Sequence, residues 1–81
     1  NAMKLSDLKQ GQEAIITEIE DSSVTEQLME MGCLPGELVV IENVAPMGDP
    51  IAISVVGYKF SLRKADAAKV EVKIPAGYTN A

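Results

Sequence analysis

Apolar and polar positions alternate with a period of two through Glu13 to Glu20, where Ile15, Thr17 and Ile19 interleave with Ala14, Ile16 and Glu18. β-Branched side chains at that spacing suit a pleated, half-buried strand. The run is preceded by Leu5, Leu8 and the turn-forming Gly11, and Asp21, Ser22 and Ser23 close it. The period then changes. Val24, Leu28 and Met31 fall at i, i+4 and i+7, which predicts a short amphipathic helix with Glu26, Gln27 and Glu30 outside. Ser23 and Glu26 have the spacing of a capping box, in which hydroxyl and carboxylate each satisfy an open backbone N–H. Gly32 stands where such a helix ends in the left-handed conformation. Pro35-Gly36 follows, and a fixed proline φ before a glycine free to take positive φ predicts a type II turn.

Beyond the turn the pattern is again that of strands. Leu38 to Val44 is apolar and β-branched, Ala45 to Pro50 is a loop of turn formers, and Ile51 to Val56 is a second apolar run that Gly57 joins to the next. Tyr58, Phe60 and Leu62 alternate with Lys59, Ser61 and Arg63, and Val70, Val72 and Ile74 alternate with Glu71 and Lys73. Lys64 to Lys69 is rich in helix formers but spans little more than a turn. The pattern predicts a mainly β fold of about five short strands with one helix inserted after the first strand. Curling such a small sheet manages its edges, so an SH3-like β-barrel is expected.

The 81 residues suffice for one domain, since halves would be too small to bury separate cores. Asn1 and Ala2 ahead of a Met read as a tag remnant (residues 1–2), the domain as 3–74, and the polar residues 75–81 as a flexible tail. A lone Cys33 rules out an intrachain disulfide, so the domain must be held by packing or by self-association, and a homo-oligomer stays open. Twelve acidic against seven basic residues give a net charge of −5, which opposes binding to a phosphate backbone. Nucleic acid is not expected as a partner. The apolar runs are far shorter than the roughly 20 residues of a membrane span, so direct insertion is not expected either, and a cytoplasmic location follows.

Candidate chemistry is sparse. With no His, Cys33 lacks a base to activate it, and packing as a small hydrophobe is its expected role. The chain offers no nucleophile with a base and no poised acid pair, so no catalytic residue and no cofactor is assigned. Glu18, Glu20 and Asp21, or Glu26 and Glu30, could present hard oxygens to a divalent cation, but solvated faces have the same spacing, and no metal ligand is assigned. Met47, between Pro46 and Pro50, is either displayed by its loop or tucked into the core, and Leu34 at the Pro-Gly turn poses the same choice. Both are candidate partner-binding residues.

The order of segments carries a resemblance. Gln27-Leu28-Met29-Glu30-Met31-Gly32-Cys33-Leu34-Pro35-Gly36-Glu37 is similar to the helix end and Pro-Gly turn of the ferrous iron transport protein A family. So is Ala45-Pro46-Met47-Gly48-Asp49-Pro50-Ile51, and the run from Leu62 to Val72 resembles the closing Leu-Arg, Ala and strand segment. The likeness covers nearly everything from Met3 to Ile74. It implies an SH3-like barrel with an inserted helix, a cytoplasmic location and a supporting role for the ferrous iron permease, whose cytosolic GTPase domain is the implied contact. Similar barrels also form C-terminal domains of metal-dependent repressors, so a stand-alone divalent-metal-binding regulatory module is the alternative.

Overall fold

The structure, a computed structural model, describes residues 3–75; the expected tag remnant and all but the first residue of the expected tail lie outside that range. Six antiparallel strands form one sheet: β1 (Met3–Lys4), β2 (Glu13–Ile19), β3 (Leu38–Val44), β4 (Ile51–Val55), β5 (Tyr58–Leu62) and β6 (Val70–Lys73). Their order is β1-β6-β2-β3-β4-β5. Helix α1 (Ser23–Glu30) fills the β2–β3 connection and α2 (Lys64–Ala67) the β5–β6 connection. The five strands expected from alternation are all present, and the added β1 is two residues long, too short to leave a periodic signal. The sheet coils over its own core without closing, since no ladder joins β1 to β5.

Two bulges drive that coiling. Ile16 pairs with Val72 but Glu18 pairs with Glu71, so Thr17 is an extra residue in β2; Ile41 pairs with Ile53 but Asn43 with Ala52, so Glu42 is extra in β3. An extra residue bends its strand and increases its twist. It also reverses which side chains face inward. Ala14 and Ile16 are buried before the bulge and Ile19 packs on the core after it, whereas simple alternation would have kept Ile15, Thr17 and Ile19 together. The same shift lets Val39, Ile41 and then Val44 face the core.

Helix α1 starts one residue earlier than the capping box predicted. Ser22, not Ser23, is the cap, and its hydroxyl oxygen accepts from the Thr25 N–H at 3.2 Å. Thr25 is fully buried, and its hydroxyl donates to the Glu20 carbonyl at 2.7 Å, so a polar atom is carried inside without losing its partner. Thr25 and Leu28 form the buried stripe, while Val24 is half-buried and Met31, at the C-cap, is exposed. Leu5, which opens the short 3-10 turn Leu5–Asp7, and Leu8, which follows it, are buried in the same core.

Candidate partner-binding surface

The chain leaves α1 through a sequence of tight turns. The Gly32 N–H donates to the Met29 carbonyl and the Cys33 N–H to the Leu28 carbonyl, with Gly32 at φ +98°. Cys33 then turns wholly inward, at 0% exposure. Burial pushes its thiol up to about 11, so it stays protonated and behaves as an apolar side chain. The Pro35-Gly36 turn is closed by the Glu37 N–H donating to the Leu34 carbonyl, and Gly36 takes the positive φ expected of it. Reciprocal bonds tie this turn to β2: Gly36 N–H to the Ile16 carbonyl at 2.7 Å, and Ile16 N–H to the Glu37 carbonyl at 3.0 Å. With its backbone fixed on both sides, Leu34 is held at the surface, 43% exposed.

Other apolar side chains gather at the same end of the sheet. Leu38 opens β3 and is exposed; across the ladder from it, one step beyond the pair Val39–Val55, stands Val56 in the β4–β5 turn. A Cβ added at Gly32 would meet the Val56 side chain at 3.4 Å, so the turn packs directly over the end of α1. Val56 has φ 52° and is 54% exposed. A β-branched residue in the left-handed region is strained, and turns of this kind favour Asn or Gly there. Met31, Leu34, Leu38 and Val56 thus form an exposed apolar patch with the half-buried Ile15 beside Leu38 and the exposed Glu30 and Glu37 at its margin. Val56 and Leu38 were missed by sequence reasoning because strand alternation assigns both to sheet interiors.

Met47 lies elsewhere. It sits in the β3–β4 loop, at the far end of β3 from Leu34, about 20 Å of strand away. The loop is both connector and display: Gly48 N–H donates to the Ala45 carbonyl, the Asp49 carboxylate accepts from the Lys64 N–H at the start of α2, and Met47 is left 92% exposed. Leu34 and Met47 therefore belong to two separate points of the surface.

The carboxylates considered for metal are dispersed. Glu18 and Glu20 line an open cleft of about 410 Å³ with Lys4, Lys69 and Glu71, where Lys4 is paired with Glu71 at 3.5 Å. Glu26 and Glu30 are solvated on α1. Among the described residues no group of three or more His, Cys, Asp or Glu side chains is arranged to hold a metal ion, and no helix is long and apolar enough to cross a membrane.

A family model described as FeoA domain matches residues 3–74. The chain belongs to the FeoA family. This FeoA domain is 37% identical over 73 residues to the Fe(2+) transport protein A/Fe(2+) transporter FeoB fusion protein of Porphyromonas gingivalis, covering 89% of this chain and 9% of that protein. It thus spans about a tenth of the length of that relative. The solution structure of a FeoA-like protein from Clostridium acetobutylicum is 32% identical, with a TM-score of 0.84 and coverage of 99% of this chain and 94% of that one. FeoA of Stenotrophomonas maltophilia, solved with zinc and described as a procaryotic SH3 domain protein, is 30% identical, with a TM-score of 0.81 and coverage of 89% and 91%. The coiled, unclosed sheet of this FeoA domain is accordingly SH3-like. Its likeness to T. acidophilum IdeR, to a manganese-dependent transcriptional repressor and to ScaR, at 22% identity or below, is one of fold alone.

Proposed function

We propose that this domain is a cytoplasmic, non-catalytic accessory of a ferrous iron permease and docks on the cytosolic GTPase part of that transporter through the patch Met31, Leu34, Leu38 and Val56. The observation that carries this reading is the Porphyromonas gingivalis protein, in which a homologous domain and FeoB share one chain. Covalent fusion holds two modules at high effective concentration, and domains kept together in this way commonly act on one another. The patch supplies what such a contact needs: a few apolar anchors held by a rigid backbone, with charge at the rim. Met47, a soft and adaptable side chain, gives a second contact at the other end of β3.

The metal-binding alternative rests on the zinc complex of the Stenotrophomonas maltophilia protein. No described set of side chains in this chain supports it.

The test is recovery of the permease from the organism's membrane fraction by the tagged full chain, with and without guanine nucleotide. Wild-type protein should retain the permease, and Leu34→Asp should lose it while keeping its circular dichroism spectrum. Met47→Asp alone should weaken retention less. Absence of the permease in every nucleotide state, or full retention by folded Leu34→Asp, would overturn the reading.

A further inference from the structure

Strand β5 ends the sheet, and the ladder that holds it is regular from Val55–Tyr58 through Ile51–Leu62 with no bulge. The two-residue turn Val56-Gly57, positive in φ at both positions, makes Val55 and Tyr58 a hydrogen-bonded pair. Alternation along an antiparallel ladder then directs the backbone groups of Tyr58, Phe60 and Leu62 to β4 and those of Lys59 and Ser61 away from the sheet. Among the described residues, neither Lys59 nor Ser61 joins any backbone hydrogen bond outside the ladder, and both are exposed. An edge of this length is ordinarily blunted by shortening, by proline, by a bulge, by charged side chains or by a covering segment, and of these β5 has a single lysine. The opposite edge, β1, is only two residues long. β5 has five residues, none of them proline, and carries Lys59 as its one charged side chain.

Charge distinguishes this edge from the rest of the molecule. In a chain of net charge −5, the stretch from Pro50 to Ala65 holds Lys59, Arg63 and Lys64 and no Asp or Glu. Of the carboxylates that flank or cross this stretch, Glu42 accepts from Ser54, Asp49 from the Lys64 N–H, and Asp66 is paired with Lys69. On the other face of β5, Tyr58 is 59% exposed and Phe60 half-buried, which leaves an apolar ledge beside the open amides.

We propose that β5 is a docking edge that takes an extended segment of another protein as an added antiparallel strand, its side chains alternating between acidic residues beside Lys59 and Arg63 and apolar residues beside Tyr58 and Phe60. Main-chain bonds to Lys59 and Ser61 supply affinity and the alternation supplies specificity. This edge is distinct from the patch proposed for the permease, and it stands or falls separately from that contact.

The probe is an end-capped heptapeptide alternating Glu and Val, titrated into the ¹⁵N-labelled full chain with its Lys/Val counterpart as control. Binding should move the Lys59 and Ser61 amide signals and slow their hydrogen exchange. Lys59→Glu should weaken it about tenfold, the size of one cross-strand charge reversal. Ser61→Pro, which removes an outward donor while leaving the β4 ladder intact, should abolish it, with the spectrum elsewhere reporting a folded domain. The proposal is overturned if millimolar peptide leaves both amides unmoved, if the Lys/Val peptide binds as well, or if concentrating the protein alone shifts the same amides, which would assign the edge to a second copy.

Discussion

Replacing Val56 by Asn separates the two roles that the β4–β5 turn combines. Valine at φ 52° sits in a region that costs an ordinary L-residue roughly 1–2 kcal/mol, a penalty Asn largely escapes. Against that gain stands the loss of packing over Gly32. Complete burial of a valine is worth about 1.5 kcal/mol, and Val56 is 54% exposed, so roughly 0.7 kcal/mol is forfeited. Relief of strain wins, and Val56→Asn should stabilise the domain by about 0.5–1 kcal/mol, which at this size raises Tm by roughly 2–8 °C. Differential scanning calorimetry at fixed concentration measures it, with Gly57→Ala, at φ 83°, as the opposite control that should lower Tm. The same variant should retain less permease in the pull-down. A Tm that falls with Val56→Asn would mean that the contact with α1 outweighs the strain, and the reasoning would be refuted.

Two further outcomes follow from the helix and its exit. Ser22→Ala should cost about 1 kcal/mol in urea unfolding whereas Ser23→Ala should be near neutral, because only the Ser22 hydroxyl reaches the Thr25 N–H; equal costs would contradict the cap. The Cys33 thiol has a folded pKa of about 11 against an ordinary value of 9.0, so the folded state keeps its proton where the unfolded chain gives it up. Its contribution to stability is therefore complete below about pH 9 and declines as pH rises towards 11. Urea midpoints at pH 8 and pH 10.5 should fall more steeply for wild type than for Cys33→Ala; parallel slopes would place the thiol in a wetter site than its burial indicates.

The existence and type of the main elements were legible because each carries a long enough period: Ile51, Ile53 and Val55, then Leu62, and Val70 with Val72 are buried as alternation assigns, while Phe60 is half-buried and Tyr58, at the start of β5, is exposed. What failed was phase, and always for a local reason. Thr17 and Glu42 are inserted residues that flip their strands, and nothing in a two-residue period marks an insertion in advance. At α1 the capping-box spacing points to Ser23 whereas its neighbour Ser22 is the cap, and Thr25 enters the core because Glu20 satisfies its hydroxyl, a bond visible only once the chain has folded. In the sequence Leu34 is open between display and burial at the Pro-Gly turn, and the structure leaves it exposed. Val56 could not be singled out, since the residue the β4–β5 turn favours is Asn or Gly and the sequence offers valine instead.

The place of β6 in the sheet has a consequence for biosynthesis. This strand, the last of the six in chain order, is inserted between β1 and β2, the first two. While the ribosome adds everything from α1 to β6, for roughly 3–10 s at ordinary elongation rates, one flank of β2 has no neighbour and β1 has nothing to pair with. The nascent domain must therefore wait, unpaired on one side, for the Val70–Lys73 segment to arrive. Any event that shortens or delays the Val70–Lys73 segment leaves a β2 ready to take a strand from another molecule, and a truncated product of this kind is a target for chaperones and proteases well before it could bind a transporter.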